Sequence, residues 1–526
     1  MGAEEKKGKS EFESRSAKIF ALFKDPYFVG LVGLIILAFA IRVYYFTKTL
    51  DQAVWWDEGE YMLRVKHLVL GTPQSGFFQG RELFTPYFWA VIYYLFNSET
   101  AIRFVQVIIS TLTVVVTYFL GKEIYDKKIG LLAAAFMGFS WLHLFFTARL
   151  LTYLYPPLFY TLAIALFWKG YHSDSPKDER YLLLSFLTIT IGLGIYFTIT
   201  LAAVTILIYL LVTEGFKFLK SKKLWKNFLI SLPFLLLSFI PSYFVQGSIV
   251  PRLGQAATIV STEIGAGLRG LILYAQMMPR LMLTIWMVLL IASFIVFIRM
   301  FLFFDFVLKK KEGIMEFRKD FYIFVSLLVP WAFYTWIASI AGGPQGATYD
   351  AYIMVLFPVI FVFMSRFLSY LTIYIKKVIS SEKIVWLLVI LVVLVGAYSQ
   401  IQFADESIKA KEPSFHNLKP AGEWLKENTA KEDKIYSAAV PELTYYSERE
   451  ILGHDDPMVN KSEEGFIKFI NMEKPKYLVL TVWEYSPAYA MNPIQNGKFN
   501  LTVANAYFIE MNGQKNPDVV IYEAHY

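Results

Sequence analysis

Eleven mainly apolar stretches recur between Phe28 and Ile401, most of them close to the length of a bilayer crossing. A transmembrane helix needs roughly 20 such residues, and a soluble domain would not carry so many. The spans read as Phe28–Thr47, Ala101–Leu120, Ile129–Ala148, Tyr153–Trp168, Tyr181–Tyr196, Thr198–Thr213, Phe228–Gln246, Leu281–Phe304, Phe321–Ala341, Ala351–Ile373 and Ile384–Ile401. Tyr181–Thr213 is short for two crossings, and reading it as one would invert everything downstream. The positive-inside rule decides for two. Lys217, Lys220, Lys222, Lys223 and Lys226 then share a side with the basic N-terminus, as do Lys309, Lys310, Lys311, Arg318, Lys319, Lys376 and Lys377. The chain is therefore expected to be a polytopic α-helical membrane protein of about eleven helices. Residues 1–27 form a cytoplasmic segment and 28–401 the transmembrane domain. The C-terminus lies outside.

The first outer loop, residues 48–100, reads as a structured cap on the membrane. Glu60–Leu70 places Tyr61, Val65, Leu68 and Val69 on one face, as an amphipathic juxtamembrane helix does. Thr85–Phe96 is apolar but only about half a bilayer long, which suits a helix lying in the interface. After Ile401 the pattern becomes that of a soluble domain. Asn417–Asn428 and Ser462–Met472 read as helices, and Lys434–Ala439, Lys476–Trp483 and Asp518–Glu523 as strands. Residues 402–526 thus predict a small extracytoplasmic α/β domain.

Composition removes several functions. Cysteine is absent, so disulfides, thiolate metal sites and Cys nucleophiles are excluded. The net charge of +7 comes from Lys and Arg in short inter-span loops, where topology accounts for it; no nucleic-acid partner is expected. Gly265-Ala266-Gly267-Leu268-Arg269-Gly270 matches a dinucleotide fingerprint in letters only, because no βαβ unit surrounds it. No nucleotide cofactor follows. His454-Asp455-Asp456 reads as a polar turn.

The chemistry concentrates just beyond the first span, at Trp55-Trp56-Asp57-Glu58-Gly59-Glu60. A carboxylate at the membrane surface can orient and deprotonate an acceptor hydroxyl. The same residues also fit a capping box with Asp57 as N-cap and Glu60 three residues on. Both readings stand at this point. An ion-coupled transporter places ionisable groups within its spans, and no Asp or Glu lies within any span above. A transporter or a non-catalytic assembly subunit is the weaker alternative.

This Asp-Glu pair, the following helix with its basic residue, Arg81-Glu82-Leu83-Phe84-Thr85-Pro86, Arg103, and Tyr118-Phe119-Leu120-Gly121-Lys122 together resemble the GT-C superfamily of membrane glycosyltransferases. The branch is the one holding protein O-mannosyltransferases and lipid A aminoarabinose transferases. The resemblance implies a GT-C-like transmembrane domain and an outward-facing donor sugar on polyprenyl or dolichyl phosphate. It implies transfer with inversion to a hydroxyl on a lipid, glycan or protein. Trp55-Trp56-Asp57 is superficially like the WWDYG motif of oligosaccharyltransferases, but that motif belongs to a C-terminal soluble domain, so transfer of a single sugar is expected. On this resemblance Asp57 is the catalytic base, and Glu58, the second catalytic candidate, positions the acceptor or holds a divalent metal near the phosphate. Glu82 positions the acceptor or holds a divalent metal cation. Lys66, His143, Arg149, Arg252 and Arg269 are the remaining candidate substrate-binding residues.

Overall fold

The computed structural model describes residues 23–75, 81–173, 175–247, 269–302, 311–340, 348–456, 459, 461–511 and 513–526. Arg252 lies outside them. Seven helices among the described residues are long and apolar enough to cross a membrane: Pro26–Lys48, Glu99–Ile124, Phe197–Lys220, Lys222–Val245, Leu273–Ile295, Asp350–Ile375 and Glu382–Lys411. Outward apolar side chains such as Ile36, Leu387 and Leu394 give the helices that carry them a lipid-compatible surface. The protein is an integral membrane protein. The chain divides into a unit of residues 1–45, 107–147 and 152–405, and a unit of residues 46–106, 148–151 and 406–526.

In the first unit the paired crossings read from Tyr181 to Thr213 are separate helices, Glu179–Ile195 and Leu201–Glu214. Extended backbone at Tyr196 (φ −162°, ψ 121°) parts them. Helices Glu99–Ile124 and Lys127–Phe139 approach closely at Gly121 and Gly130, where a Cβ on Gly121 would sit 2.8 Å from the Gly130 Cα.

The span read as Ile129–Ala148 is instead broken at Ser140, between Lys127–Phe139 and Trp141–Phe145. A second break falls in Arg269–Leu302, where Pro279 stands in the helix and Leu283 adopts φ 56°, ψ 179°. Backbone at that φ is costly for a residue with a Cβ, and a broken helix in hydrocarbon must find other partners for its freed groups. Two side chains supply them. The Trp141 indole N–H donates to the carbonyls of Arg280 and Leu281, at 3.2 and 3.0 Å. The Gln400 amide donates to Met282 at 2.9 Å, while its oxygen accepts the Trp141 backbone N–H at 2.9 Å. Gln400, fully buried, thus serves both breaks.

The second unit contains one mixed sheet of β1 (Ile435–Ser437), β2 (Ile451–Leu452), β3 (Tyr477–Thr481), β4 (Leu501–Met511) and β5 (Gln514–Ala524), in the order β2-β1-β3-β5-β4. β1 is parallel to β2 and β3, and β5 is antiparallel to β3 and β4. Period-two alternation sends successive residues to opposite faces. Ile435, Tyr477 and Val479 pack with Leu418, Leu425 and Leu443; Tyr436 and Leu478 pack with Phe466, Phe469 and Ile494.

Replacing Gln400 with Leu orphans a buried N–H and a carbonyl together, at about 1–3 kcal/mol each. We expect Gln400→Leu to lower the thermal midpoint of the purified protein clearly, whereas Ser399→Leu, half-buried on the same helix, should not. Equal midpoints would show that other groups satisfy both breaks.

Candidate active site

The helix Trp56–Leu70 starts two residues earlier than an Asp57 N-cap would place it. Trp55 is the capping position, with extended backbone (φ −84°, ψ 169°). Glu58, in place of Glu60, reaches back to accept the Trp55 N–H at 2.9 Å. The register differs from the capping-box reading because Asp57 and Glu60 both go to Arg81. The helix is also not one-sided: every residue from Glu58 to Lys66 is buried. Its polar side is covered by partners. Arg64 donates to the Gln74 side chain at 2.8 Å, and Lys66 donates to the Tyr445 carbonyl at 2.8 Å and pairs with Glu448 at 3.1 Å.

Asp57 and Glu58 sit side by side in very different surroundings. Glu58 is fully buried. It accepts from the Arg149 guanidinium at 2.7 Å, from the Leu150 backbone N–H at 2.7 Å, and from Trp55. Arg149 lies 3.4 Å over the Trp55 ring centroid and donates a further bond to the Gln52 side chain. Arg103, itself fully buried, holds the same segment from the other side: it donates to the carbonyls of Ala148 and Gln52, both at 3.1 Å, and pairs with Glu99 at 2.6 Å. The Asp57 side chain keeps 33% of its surface exposed and meets Arg81 at 2.6 Å. Arg81 also lies 4.9 Å over the Tyr61 ring. Of the adjacent acids, Asp57 is the one open to a substrate.

Two carboxylates that the sequence reading did not single out complete the cluster. Glu442 opens the helix Val440–Ser447, and Glu484 follows β3. Burial, with the charge of Glu484 next, pushes the Glu442 carboxyl well above the ordinary range. Burial likewise raises Glu484, against a hydrogen bond from Glu442, and the Asp57 charge raises it further. Glu60 is pushed up to about 7 by burial, against the opposing charge of Arg81. A carboxylate shortly after each of two buried strands was the signal available: Glu442 follows Lys434–Ala439 and Glu484 follows Lys476–Trp483.

The other candidates fall elsewhere. His143 belongs to the first unit, fully buried, its Nδ1 at 3.2 Å from Arg42 and 3.1 Å from the Ser110 hydroxyl. Arg42 bonds the carbonyls of Ala38 and Gly138, both at 3.0 Å, so this cluster knits helices together. Arg269 opens the helix Arg269–Leu302. Glu82 lies between Arg81 and the helix Phe84–Phe96. No group of three His, Cys, Asp or Glu among the described residues is arranged to hold a metal ion.

The architecture is similar to ArnT from Cupriavidus metallidurans in its apo state, at 12% identity and TM-score 0.60, covering 93% of this chain and 98% of that one. The chain has the GT-C fold. It is also similar to ArnT of the same organism bound to undecaprenyl phosphate (13%, TM-score 0.58, 93% and 98% covered). A third likeness is to the oligosaccharyltransferase of Archaeoglobus fulgidus in apo form (11%, TM-score 0.59, 94% and 74% covered). Residues 81–241 match the family described as dolichyl-phosphate-mannose-protein mannosyltransferase. No curated protein sequence matches the chain. The matched segment opens at Arg81, the partner of Asp57 and Glu60.

The two acids respond differently to substitution. Removing one partner of a buried ion pair costs about 3–5 kcal/mol, while a partly exposed pair is worth about 0–1 kcal/mol. Arg149→Ala is therefore expected to lower thermal stability severely, and Asp57→Asn hardly at all. The two melting curves of the purified variants decide this, and similar midpoints would refute it.

Proposed function

We propose that this chain transfers a single sugar from a polyprenyl- or dolichyl-phosphate donor to a hydroxyl acceptor at the outer face of the membrane, inverting the anomeric centre. The observation that carries the reading is the Asp57–Glu58 contrast: an open carboxylate on a helix whose first turn is locked by the Glu58–Arg149 pair. Asp57 takes the acceptor's proton as its oxygen bonds the anomeric carbon. The bond from that carbon to the phosphate oxygen breaks, and lipid phosphate leaves with the electron pair. A single displacement of this kind inverts configuration. Base and geometry matter more than an acid here, because the leaving group is already a phosphate.

The GT-C neighbours crystallised with undecaprenyl phosphate and with dolichol phosphate support a lipid-borne donor. So does an apolar cavity of about 340 Å³ in the first unit, lined by Met278, Met287, Phe294, Phe324, Leu327 and Trp331 among others. An isoprenoid chain suits such walls. A related archaeal structure holds zinc. In this chain, however, the carboxylates of Asp57 and Glu60 that a cation would need are already paired with Arg81, and no step is routed through a metal. Glu82 then positions the acceptor, and turnover is expected to survive a chelator.

With polyprenyl-phosphate sugars as donors, Asp57→Asn should cut turnover by about 10²-fold or more, read as released lipid phosphate. Retained turnover would end the proposal. Ala275→Trp, which narrows the cavity, should raise KM for a long-chain donor roughly tenfold, about 1.4 kcal/mol, and leave a short-chain donor unaffected. Equal effects on both would place the chain elsewhere. For orientation, Cys introduced at Ser486 should react with an impermeant thiol reagent in intact cells and Cys at Ser221 should not; the opposite pattern would invert the topology.

A further inference from the structure

Glu442 and Glu484 emerge from one edge of the sheet for a topological reason. β1 and β3 are parallel neighbours, with Ser437 paired to Val479, and each Glu lies five residues beyond its strand's member of that pair. After β1 the chain turns into the helix Val440–Ser447, whose Leu443 packs on one face of the sheet; after β3 it enters the helix Ala488–Gln495, whose Ala490 and Ile494 pack on the other. Chains that diverge in this way from the carboxyl ends of adjacent parallel strands open a crevice at the switch point of the strand order, where open α/β sheets place ligands.

The crevice lies against the site already described. The helix Val440–Ser447 packs on Trp56–Leu70, so closely that a Cβ on Gly59 would stand 3.1 Å from the Pro441 carbonyl carbon and 3.2 Å from the Glu442 nitrogen. Glu442 is fully buried. Among the described residues neither of its carboxylate oxygens meets a donor from another residue; the groups within reach are its own backbone N–H and the carboxyl of Glu484. The loop bearing Glu484 is pinned, since the Trp483 indole donates to Asp518 at 3.0 Å and the Trp483 ring stacks on Phe415 at 5.4 Å.

The charged groups around the pair are otherwise committed. From Trp56–Leu70, Glu60 goes to Arg81 and Lys66 to Glu448. From Leu418–Asn428, Lys426 goes to Glu448, and Arg449, beside β2, bonds the carbonyls of Lys426 and Thr429. Two carboxyl groups placed together without a cation cannot both ionise and so share a proton.

We propose that Glu442 and Glu484 form a proton-sharing pair at the switch point of the C-terminal sheet, and that this pair takes up the proton Asp57 removes from the acceptor hydroxyl. The second half rests on the transferase reading above. The proton passes from the acceptor oxygen to Asp57 and from Asp57 to the pair, which starts with one proton for two carboxyl groups and ends with two. Glu484, half-buried, then gives one proton up to water, which returns the pair to its singly protonated form. Asp57 is thereby returned to its ionised form for the next turnover. Neither Glu touches the substrate; both act through Asp57.

The test uses the full-length protein in detergent, comparing wild type with Glu442→Gln and Glu484→Gln. Carboxyl groups whose folded-state affinity for protons is raised contribute stability that fades as pH rises. The wild-type thermal midpoint should therefore fall as pH goes from about 5 to about 8, the window between an ordinary carboxyl and these raised ones. Either Gln variant should show a shallower fall, since an amide loses no proton; the remaining glutamate of the pair and Glu60 supply the slope that remains. In turnover, Glu484→Gln should lower kcat roughly 5- to 10-fold near neutral pH, alter the pH profile, and leave donor KM unchanged. A wild-type midpoint independent of pH, or variant slopes identical to wild type, would overturn the pair. A kcat profile superimposable on wild type would overturn its role in proton uptake. The melting comparison needs no substrate, so absence of turnover in the wild type with every donor would strike the transferase reading and leave the pair to be judged on its own.

Discussion

The Glu58–Arg149 pair organises the second unit. Two opposite charges taken out of water hold together well only when further hydrogen bonds meet their remaining lone pairs and protons; here the Arg149 Nε–H meets no acceptor among the described residues, but the other partners reach three segments of chain. Through Leu150 and Arg149 the pair fixes residues 148–151; through the Trp55 N–H it sets where the helix Trp56–Leu70 begins; through Gln52 it secures the strand of chain leading into that helix. Arg103 closes the arrangement from the side of Ala148 and Gln52. Because Glu58 sets the register, Asp57 occupies the second helical position with its side chain turned to Arg81 and solvent.

That arrangement explains why adjacent acids of similar chemistry have separate parts. Glu58 is enclosed by donors and contributes position. Asp57 meets one guanidinium and retains an open face. The arginines of this unit are each spoken for: Arg64 by Gln74, Arg81 by Asp57 and Glu60, Arg103 by Glu99, Arg149 by Glu58, and Arg449 by the carbonyls of Lys426 and Thr429. A side chain already bonded to a buried carboxylate gives up that bond only at the cost of stranding the partner. On the proposed reading the cluster around Asp57 manages a proton, while Arg149, a candidate substrate-binding residue in the sequence, is paired with Glu58 inside the protein.

What was legible beforehand follows the strength of the local signal. The first two spans, the separation of Tyr181–Thr213 into two helices, and β1, β3 and the helix Leu418–Asn428 all carry a strong period or a long hydrophobic run, and each is present within a few residues of its expected place. The breaks at Ser140 and Leu283 were hidden. Both are satisfied by Trp141 and Gln400, residues distant in sequence from one break or both, and no local pattern announces such a partner. The strand β4 and the helix Val440–Ser447 were missed for a related reason: β4 pairs along its length with β5 across a tight turn, and Val440–Ser447 is short and buried on nearly every side. Lys66 and Arg149 were visible as basic residues near the carboxylates. Their partners, Glu448 and Glu58, were not, because ion pairing depends on tertiary placement and leaves no mark in composition.

On the proposed transferase reading, the Glu442–Glu484 pair adds a route by which Asp57 loses the proton it takes. An acid open to substrate works repeatedly only if the proton it receives can move on, and Arg81 beside Asp57 opposes its remaining neutral. Bulk water would serve, but an active site that favours a hydroxyl acceptor over water gains from limiting water's access. Carboxyl groups held above their usual range by burial, and not by a cation, meet both needs: they accept a proton near neutral pH and bring no solvent with them. The parallel strands β1 and β3 present two such groups from one edge, and the close contact at Gly59 lays that edge along the helix that carries Asp57. On this reading the C-terminal α/β region is part of the catalytic apparatus, and a side chain on Gly59 would separate the base from the groups that restore it.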